Sequence, residues 1–255
     1  METQANNTGK KIFLLYPHSV IREEMLDMLI MAGYETYTLV DTKKAQKLLV
    51  KFPNSIMFVN IDEGMEEDEW EIYIRTIQEN PETKDSRLGI MSYNQDRDLM
   101  QKYLMDLAIP CGYIQLKLGL KESTKIILSA LEANEAKGRR QCIRANCHND
   151  INAVLNFKGD SAMYHGKILD ISSSGIAARF DKFSSSLQIN SLLRNVQLRL
   201  RGGLLMTDMI LMGQRRDDAH IYVLLFTNRL STENKLIIHR YIKQCLQKFI
   251  NELRV

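Results

Sequence analysis

Residues 164–180 read YHGKILDISSSGIAARF. Tyr164 to Ile171 has the length of a strand, and a two-residue period places Leu169 and Ile171 on one face and Asp170 on the other. Ser172-Ser173-Ser174-Gly175 is a turn signal. The chain then resumes as a strand through Phe180, which puts Ile176, Ala178 and Phe180 together. Strand, polar turn, strand is the signature of an antiparallel sheet rather than of strands joined by helices.

Reading outward, the same alternation recurs on both sides. Ile151 to Phe157 alternates loosely, and Val196, Leu198 and Leu200 alternate with Gln197, Arg199 and Arg201. Gly202-Gly203 predicts a hairpin turn. Leu204–Met212 and Ile221–Thr227 supply two more strands, joined by the polar segment GQRRDDAH. Ser231 or Thr232 caps a final helix whose apolar stripe is Ile238, Tyr241 or Ile242, Cys245, Phe249 and Leu253. About six short strands followed by one helix predict a closed six-stranded antiparallel barrel with a packed C-terminal helix. The stripe reads as ordinary core. The opposite face carries Lys235, Arg240, Lys243 and Lys248, which keeps a peripheral-membrane reading open as an alternative.

The first half has a different rhythm. Strand-length runs at Lys11–Tyr16, Tyr34–Val40, Ser55–Ile61, Arg87–Ser92 and Gly112–Leu116 alternate with helical stretches at His18–Ala32, Asp41–Phe52, Glu67–Asn80, Gln95–Ala108 and Lys121–Ala136. Gly33, Pro53 and Pro81 stop the first three helices, and Asp41 is placed to cap the second. Strict alternation predicts a five-stranded parallel sheet with helices on both faces, a flavodoxin-like doubly wound domain. The predicted divisions are a disordered tail at 1–9, an α/β domain at 10–136, a hinge and arginine arm at 137–145, and a barrel at 146–255. Lys137-Gly138 offers the hinge, with no long spacer.

Charge divides the chain at the same place. Met1–Ala136 carries 15 Lys and Arg against 22 Asp and Glu, net −7, whereas Lys137–Val255 carries 19 against 9, net +10. The second half is thus suited to an anionic partner. The polar N-terminus lacks the apolar core of a signal peptide, and no apolar run approaches transmembrane length. The scattered Cys111, Cys142, Cys147 and Cys245 do not form a disulfide framework, so a reducing cytoplasm is expected.

Two short motifs lie in this basic half. Arg139-Arg140-Gln141-Cys142-Ile143-Arg144 contains an Arg-x-x-x-Arg spacing, and Asp170-Ile171-Ser172-Ser173-Ser174-Gly175 contains Asp-x-Ser-x-x-Gly. Together, one before and one within the same barrel, they resemble the PilZ family of bacterial cyclic-di-GMP receptors over roughly Gly138–Val255. The resemblance implies a non-catalytic, cytoplasmic receptor that couples the second messenger to an effector protein, in motility, adhesion or envelope regulation. It assigns the ligand clamp to Arg140 and Arg144, with Arg139 accessory. The chemistry suits the assignment: a guanidinium fork pairs with guanine O6 and N7 or with phosphate. Asp170 accepts from the Watson–Crick edge of guanine, Ser172 reaches base or phosphate, and Gly175 lets the turn approach the ligand. An Arg just before the motif, here Arg139, accompanies a stacked ligand pair in that family, so an intercalated dimer of cyclic-di-GMP is expected. Arg179 reads as a solvent-facing strand residue.

The α/β half resembles the response-regulator receiver domain over roughly Lys10–Asn134, with departures. That family needs an acidic pair after the first strand, and here the sequence is Tyr16-Pro17-His18; the phosphoacceptor position falls on Asn60, an amide. Ser92 and Lys117 match, but Leu118 stands where Pro is usual, and Asp62 is two residues past Asn60. Phosphotransfer and its Mg²⁺ are therefore not expected. The acidic run Asp62–Glu69 lacks the spacing of a Ca²⁺ loop and reads as a helix start, with Trp70 and Tyr73 as core or domain-contact residues.

Other constellations are weaker. Cys142, Cys147 and His148 lack a second metal-ligand pair; His18, His165, His220 and His239 have no nucleophile beside them in sequence; no GxxxxGK loop occurs. No enzyme activity, metal or resident cofactor is expected. The rival functions are a nucleic-acid-binding regulator using the basic barrel, which lacks concentrated stacking aromatics, and a phosphorylation-controlled response regulator.

Overall fold

The computed structural model describes residues 9–159, 162–180, 188–201, 203–215, 218 and 220–255. The predicted disordered tail, apart from Gly9, lies outside them, as do Gly202 of the predicted hairpin turn and Arg216, Asp217 and Ala219 of the polar connection. The chain divides into two compact units, 1–141 with 250–255, and 142–249.

The first unit is the expected α/β fold. Strands β1 (Ile12–Leu15), β2 (Thr36–Leu39), β3 (Ile56–Asn60), β4 (Arg87–Ser92) and β5 (Tyr113–Gln115) form a parallel sheet in the order β2-β1-β3-β4-β5. Helices α1 (Ser19–Met31), α2 (Thr42–Lys51), α3 (Glu67–Glu79), α4 (Arg97–Gln101) and α5 (Leu120–Ala133) alternate with them. Every residue of β1 and β3 is buried, as expected of central strands covered on both faces. The Asp41 carboxylate caps α2 by accepting from the amides of Lys43 and Lys44 (2.8 and 3.0 Å). The acidic run opens α3 with a Glu66–Glu69 capping box, and Trp70 is fully buried. The stretch 95–108 is not one regular helix: α4 passes into a π-helical turn at Lys102–Asp106, which turns Tyr103 into the core.

The second unit is a closed antiparallel barrel. Strands β7 (Val154–Lys158), β8 (Met163–Ile171), β9 (Gly175–Phe180), β10 (Leu192–Leu200), β11 (Gly203–Gln214) and β12 (Ile221–Phe226) pair in the ring β8-β7-β10-β11-β12-β9, closed by β9 on β8. A two-residue strand, β6 (Ala145–Asn146), adds to β8 where β7 has left it, with Asn146 opposite Asp170. The interior is built on alternate residues, with Phe157, Tyr164, Phe180 and Tyr222 in ring-to-ring contact at 5.0–5.9 Å. Helix α6 (Thr232–Glu252) starts at Ser231, whose Oγ accepts from the Asn234 amide at 3.1 Å. Its buried stripe runs through Ile238, Tyr241, Ile242 and Leu246. Phe249, expected in that stripe, is 44% exposed; the four-residue step from Ile242 lands on Leu246 instead.

One departure bears on function. A β-bulge between Ile168 and Asp170 inserts Leu169 as an extra residue in β8. Ile168 and Ile171 therefore pair with the inward Ala178 and Ile176, while Asp170 pairs with Ala177. Leu169 does not share a face with Ile171 as a regular period requires; it clusters with Ala177 and Ile221.

Candidate functional site

The two motif halves sit 26 positions apart in sequence, and the β6–β8 ladder brings them together. Asn146 lies opposite Asp170 and Ala145 opposite Ile171, so the residue before β6, Arg144, reaches the bulged end of β8. Its Nη1 stands 3.9 Å from Asp170 Oδ1, with the Arg144 side chain half exposed and that of Asp170 at 23%. This is a loose ion pair at the edge of contact. Partly exposed pairs of this kind contribute about 0–1 kcal/mol and are readily exchanged for a better partner. Both groups thus keep most of their hydrogen-bonding capacity for a ligand.

The bulge also selects the neighbours of Asp170. Three positions apart on a regular strand, Lys167 and Asp170 point to opposite faces; the extra residue puts both on the outer one. Lys167 is exposed and faces Arg179 on β9. Continuing along the same row, Lys167 faces Val154 on β7, and Val154 faces Arg199 on β10. Arg179, Lys167 and Arg199 therefore lie on one cross-strand line of the barrel's outer face. Arg179 holds Asp218 through Nη2 and Oδ2 at 2.5 Å, and the amide of His220 donates to the same carboxylate group at 2.9 Å. The Asp218 carboxyl is held below its ordinary value first by that backbone hydrogen bond and then by Arg179. Lys167 did not stand out in the sequence, because a strict alternation puts it on the wrong side of the strand from Asp170.

Ser172 and Gly175 have work within the turn. Ser172 is 4% exposed. Its Oγ is 3.0 Å from Ser174 Oγ, accepts from the Ser174 amide (3.3 Å) and donates to the Gly175 carbonyl (3.2 Å). Its amide donates to that carbonyl as well, at 2.8 Å. At Gly175 an added Cβ meets the Leu224 carbonyl oxygen at 2.2 Å, so the glycine is required by the close approach of β12. The Asp-x-Ser-x-x-Gly spacing is thereby a device that fixes the end of β8 and the start of β9, with Asp170 presented outward.

Arg139 and Arg140 are exposed and belong to the first unit, whereas Arg144 belongs to the second; the border falls between Gln141 and Cys142, within the arm.

In the first unit, β3 ends on Asn60, which fixes the register there. Asn60 is fully buried; its Nδ2 donates to the Tyr16 carbonyl (2.9 Å) and its Oδ1 accepts from the Asp62 amide (3.3 Å). Asp62 turns to the other side, accepting from Ser92 Oγ at 2.5 Å and from the Tyr93 amide at 2.6 Å. Tyr16, at φ +50°, lays its ring against Gly64, where a Cβ comes within 2.8 Å. The polar groups at this end of the sheet thus satisfy one another.

Among the described residues, no group of three or more His, Cys, Asp or Glu side chains is arranged to hold a metal ion. No helix of the described residues is long and apolar enough to cross a membrane.

No protein-family model matches the sequence, and no curated protein matches it. Solved structures do. The C-terminal part of the chain is similar to PilZ domains. The PilZ domain with c-di-GMP of YcgR from Escherichia coli is 15% identical, with a TM-score of 0.38 over 45% of this chain and 99% of that one. The K. pneumonia MrkH–c-di-GMP complex is 21% identical, with a TM-score of 0.34 over 46% of this chain and 54% of that one. The Bacillus subtilis inhibitor of motility, MotI/DgrA, is 18% identical, with a TM-score of 0.35 over 47% and 56%. The chain spans about half the length of MrkH and MotI.

Proposed function

We propose that the barrel unit is a receptor for cyclic-di-GMP and that the chain is a signalling effector rather than an enzyme. The observation that carries the reading is the meeting of Arg144 and Asp170 across the β6–β8 ladder, on an outer face lined by Lys167, Arg179 and Arg199. An outward carboxylate amid cations is the wrong arrangement for a plain phosphate site, because it repels the anion. It suits a ligand that combines phosphates with a purine whose edge donates: guanine N1–H and its amine go to Asp170, and phosphates and guanine O6/N7 go to arginine.

In this reading Arg140 and Arg144 clamp the ligand and Arg139 adds a cation for a stacked pair, with a stoichiometry of two ligands per chain. Ser172 and Gly175 act by holding the turn that presents Asp170. Ordering the arm costs roughly 1–2 kcal/mol per residue fixed. Each bidentate base contact returns about 1–3 kcal/mol. Ligand binding then orders the arm between the two units and reorients the first, creating a surface for an effector protein. The first unit works without phosphotransfer.

Isothermal titration of the full chain tests the reading. Cyclic-di-GMP binds and cyclic-di-AMP does not; Arg144→Ala weakens binding about 10- to 100-fold; Asp170→Asn abolishes the preference for guanine. Absence of heat with cyclic-di-GMP, or equal binding of the two dinucleotides, overturns it. The nucleic-acid reading predicts instead a steep, sequence-independent salt dependence that is indifferent to Asp170. Identical small-angle scattering with and without saturating ligand rejects the reorientation.

A further inference from the structure

A second chemical centre lies inside the barrel unit, where the turn after β6 meets α6. The Cys147 amide donates to the Leu169 carbonyl at 2.8 Å, and the Asp150 amide donates to the Cys147 carbonyl at 2.9 Å, which closes the turn 147–150. Asp150 is 8% exposed, and its Oδ2 accepts from Tyr241 Oη–H at 2.9 Å. That bond pins the Tyr241 face of α6 to the turn. Cys245 is one helical turn further along the same face. Its thiol neighbours that of Cys147, whose own Sγ–H donates to the Ala145 carbonyl at 3.5 Å.

The two thiols are not equivalent. Cys147 is 1% exposed, whereas Cys245 is half-buried. The neighbouring Cys245 thiol, together with burial, pushes the Cys147 thiol up. The adjacent Cys147 holds the Cys245 thiol below its ordinary value, against desolvation and the nearby Asp150 carboxylate, with Tyr241 and Arg201 adding to the same effect. A half-buried thiol backed by a buried one beside it is the arrangement of an attacking and a resolving cysteine.

We propose that Cys147 and Cys245 form a reversible disulfide on exposure to hydrogen peroxide. The Cys245 thiolate attacks one peroxide oxygen, and the O–O bond breaks. Hydroxide departs and takes up a proton, leaving water and a Cys245 sulfenic acid. The Cys147 sulfur then attacks the sulfenic sulfur and loses its proton, and the S–O bond breaks to release hydroxide, protonated to a second water. Two thiols lose two electrons and two hydrogens, and one peroxide becomes two waters. The new S–S bond has a length of about 2.05 Å. The bond joins the residue directly after β6 to α6. It thereby tethers the barrel end of the arginine arm, three residues from Arg144, whatever ligand the barrel takes.

Intact mass spectrometry of the full chain tests this. Peroxide treatment followed by alkylation in denaturant is expected to remove two hydrogens and leave two of the four cysteines alkylated. Peptide mapping joins Cys147 to Cys245, and dithiothreitol restores all four thiols. A Cys111→Ala/Cys142→Ser double variant gives the same result. Cys147→Ala leaves Cys245 carrying oxygen as sulfenic or sulfinic acid, with no cross-link. Oxidation that joins Cys142 or Cys111, or that adds oxygen to wild type without losing two hydrogens, overturns the proposal. So does retention of all four thiols. Mapping of the wild type and the double variant decides the matter even if Cys147→Ala does not fold.

Discussion

Replacing Gly175 by alanine separates a structural demand from a ligand-binding one. The new Cβ lies 2.2 Å from the Leu224 carbonyl oxygen and 3.0 Å from Leu225 Cα, both backbone atoms of β12. Side-chain rearrangement gives no relief, so the strand must move by at least 0.8 Å for the closest contact to reach 3.0 Å. That movement works against the Gly175–Leu225 pairing and against the bonds from Phe226 N to Ser174 O (3.0 Å) and from Ser172 N to Gly175 O (2.8 Å). Overpacking against a rigid neighbour costs about 1–3 kcal/mol. Each weakened hydrogen bond adds up to roughly 1 kcal/mol. The expected loss is about 3 kcal/mol, which lowers the barrel unit's urea midpoint by about 1–3 M. The assay has a built-in reference. The chain's one tryptophan, Trp70, is buried in the first unit, so its fluorescence follows that unit, while far-ultraviolet circular dichroism follows both. Gly175→Ala is expected to shift the dichroism transition to lower urea and leave the fluorescence transition in place. Ser173→Ala, at an exposed turn position, is the control and shifts neither. A Gly175→Ala protein within about 0.5 kcal/mol of wild type refutes the crowding argument.

Ser172→Ala removes the Oγ bonds within the same turn and is expected to cost the barrel about 1 kcal/mol, read from the same dichroism transition. Tyr241→Phe leaves the buried Asp150 carboxylate without its hydroxyl partner and costs about 1–3 kcal/mol; an unchanged midpoint removes Tyr241 as the anchor of α6. In the first unit, Glu71 is held below the ordinary carboxylate value of 4.5, first by its hydrogen bond from Lys102 and then by that from Arg75. A lowered carboxylate stabilises the fold fully above that ordinary value, and the contribution disappears as pH falls through the lower, folded value. Lys102→Met should therefore narrow the difference in the Trp70-reported urea midpoint between neutral pH and about pH 3. A difference as large as that of wild type shows that the pair does not contribute.

Local pattern determined much of this protein. The run of five strands and five helices in the first half follows from hydrophobic period and from stops such as Pro53 and Pro81, and these act within a few residues. The barrel's strands and the capped final helix were legible for the same reason, as was the pairing of Arg144 with the Asp-x-Ser-x-x-Gly turn as motifs. The rest depends on long-range partners that a linear pattern does not encode. The strand β6 is two residues long and has no period of its own; it exists because β8 offers an open edge beyond β7. The bulge at Leu169 is decided by closure of β8 against β9, and it moves Leu169 away from Ile171 and puts Lys167 on the side of Asp170. Gly175 carries the same letter whether it makes room for a ligand or for β12, and only the position of the Leu224 carbonyl distinguishes the two. Cys147 and Cys245 are isolated thiols in the sequence, and packing of α6 on the turn 147–150 is what makes them a pair.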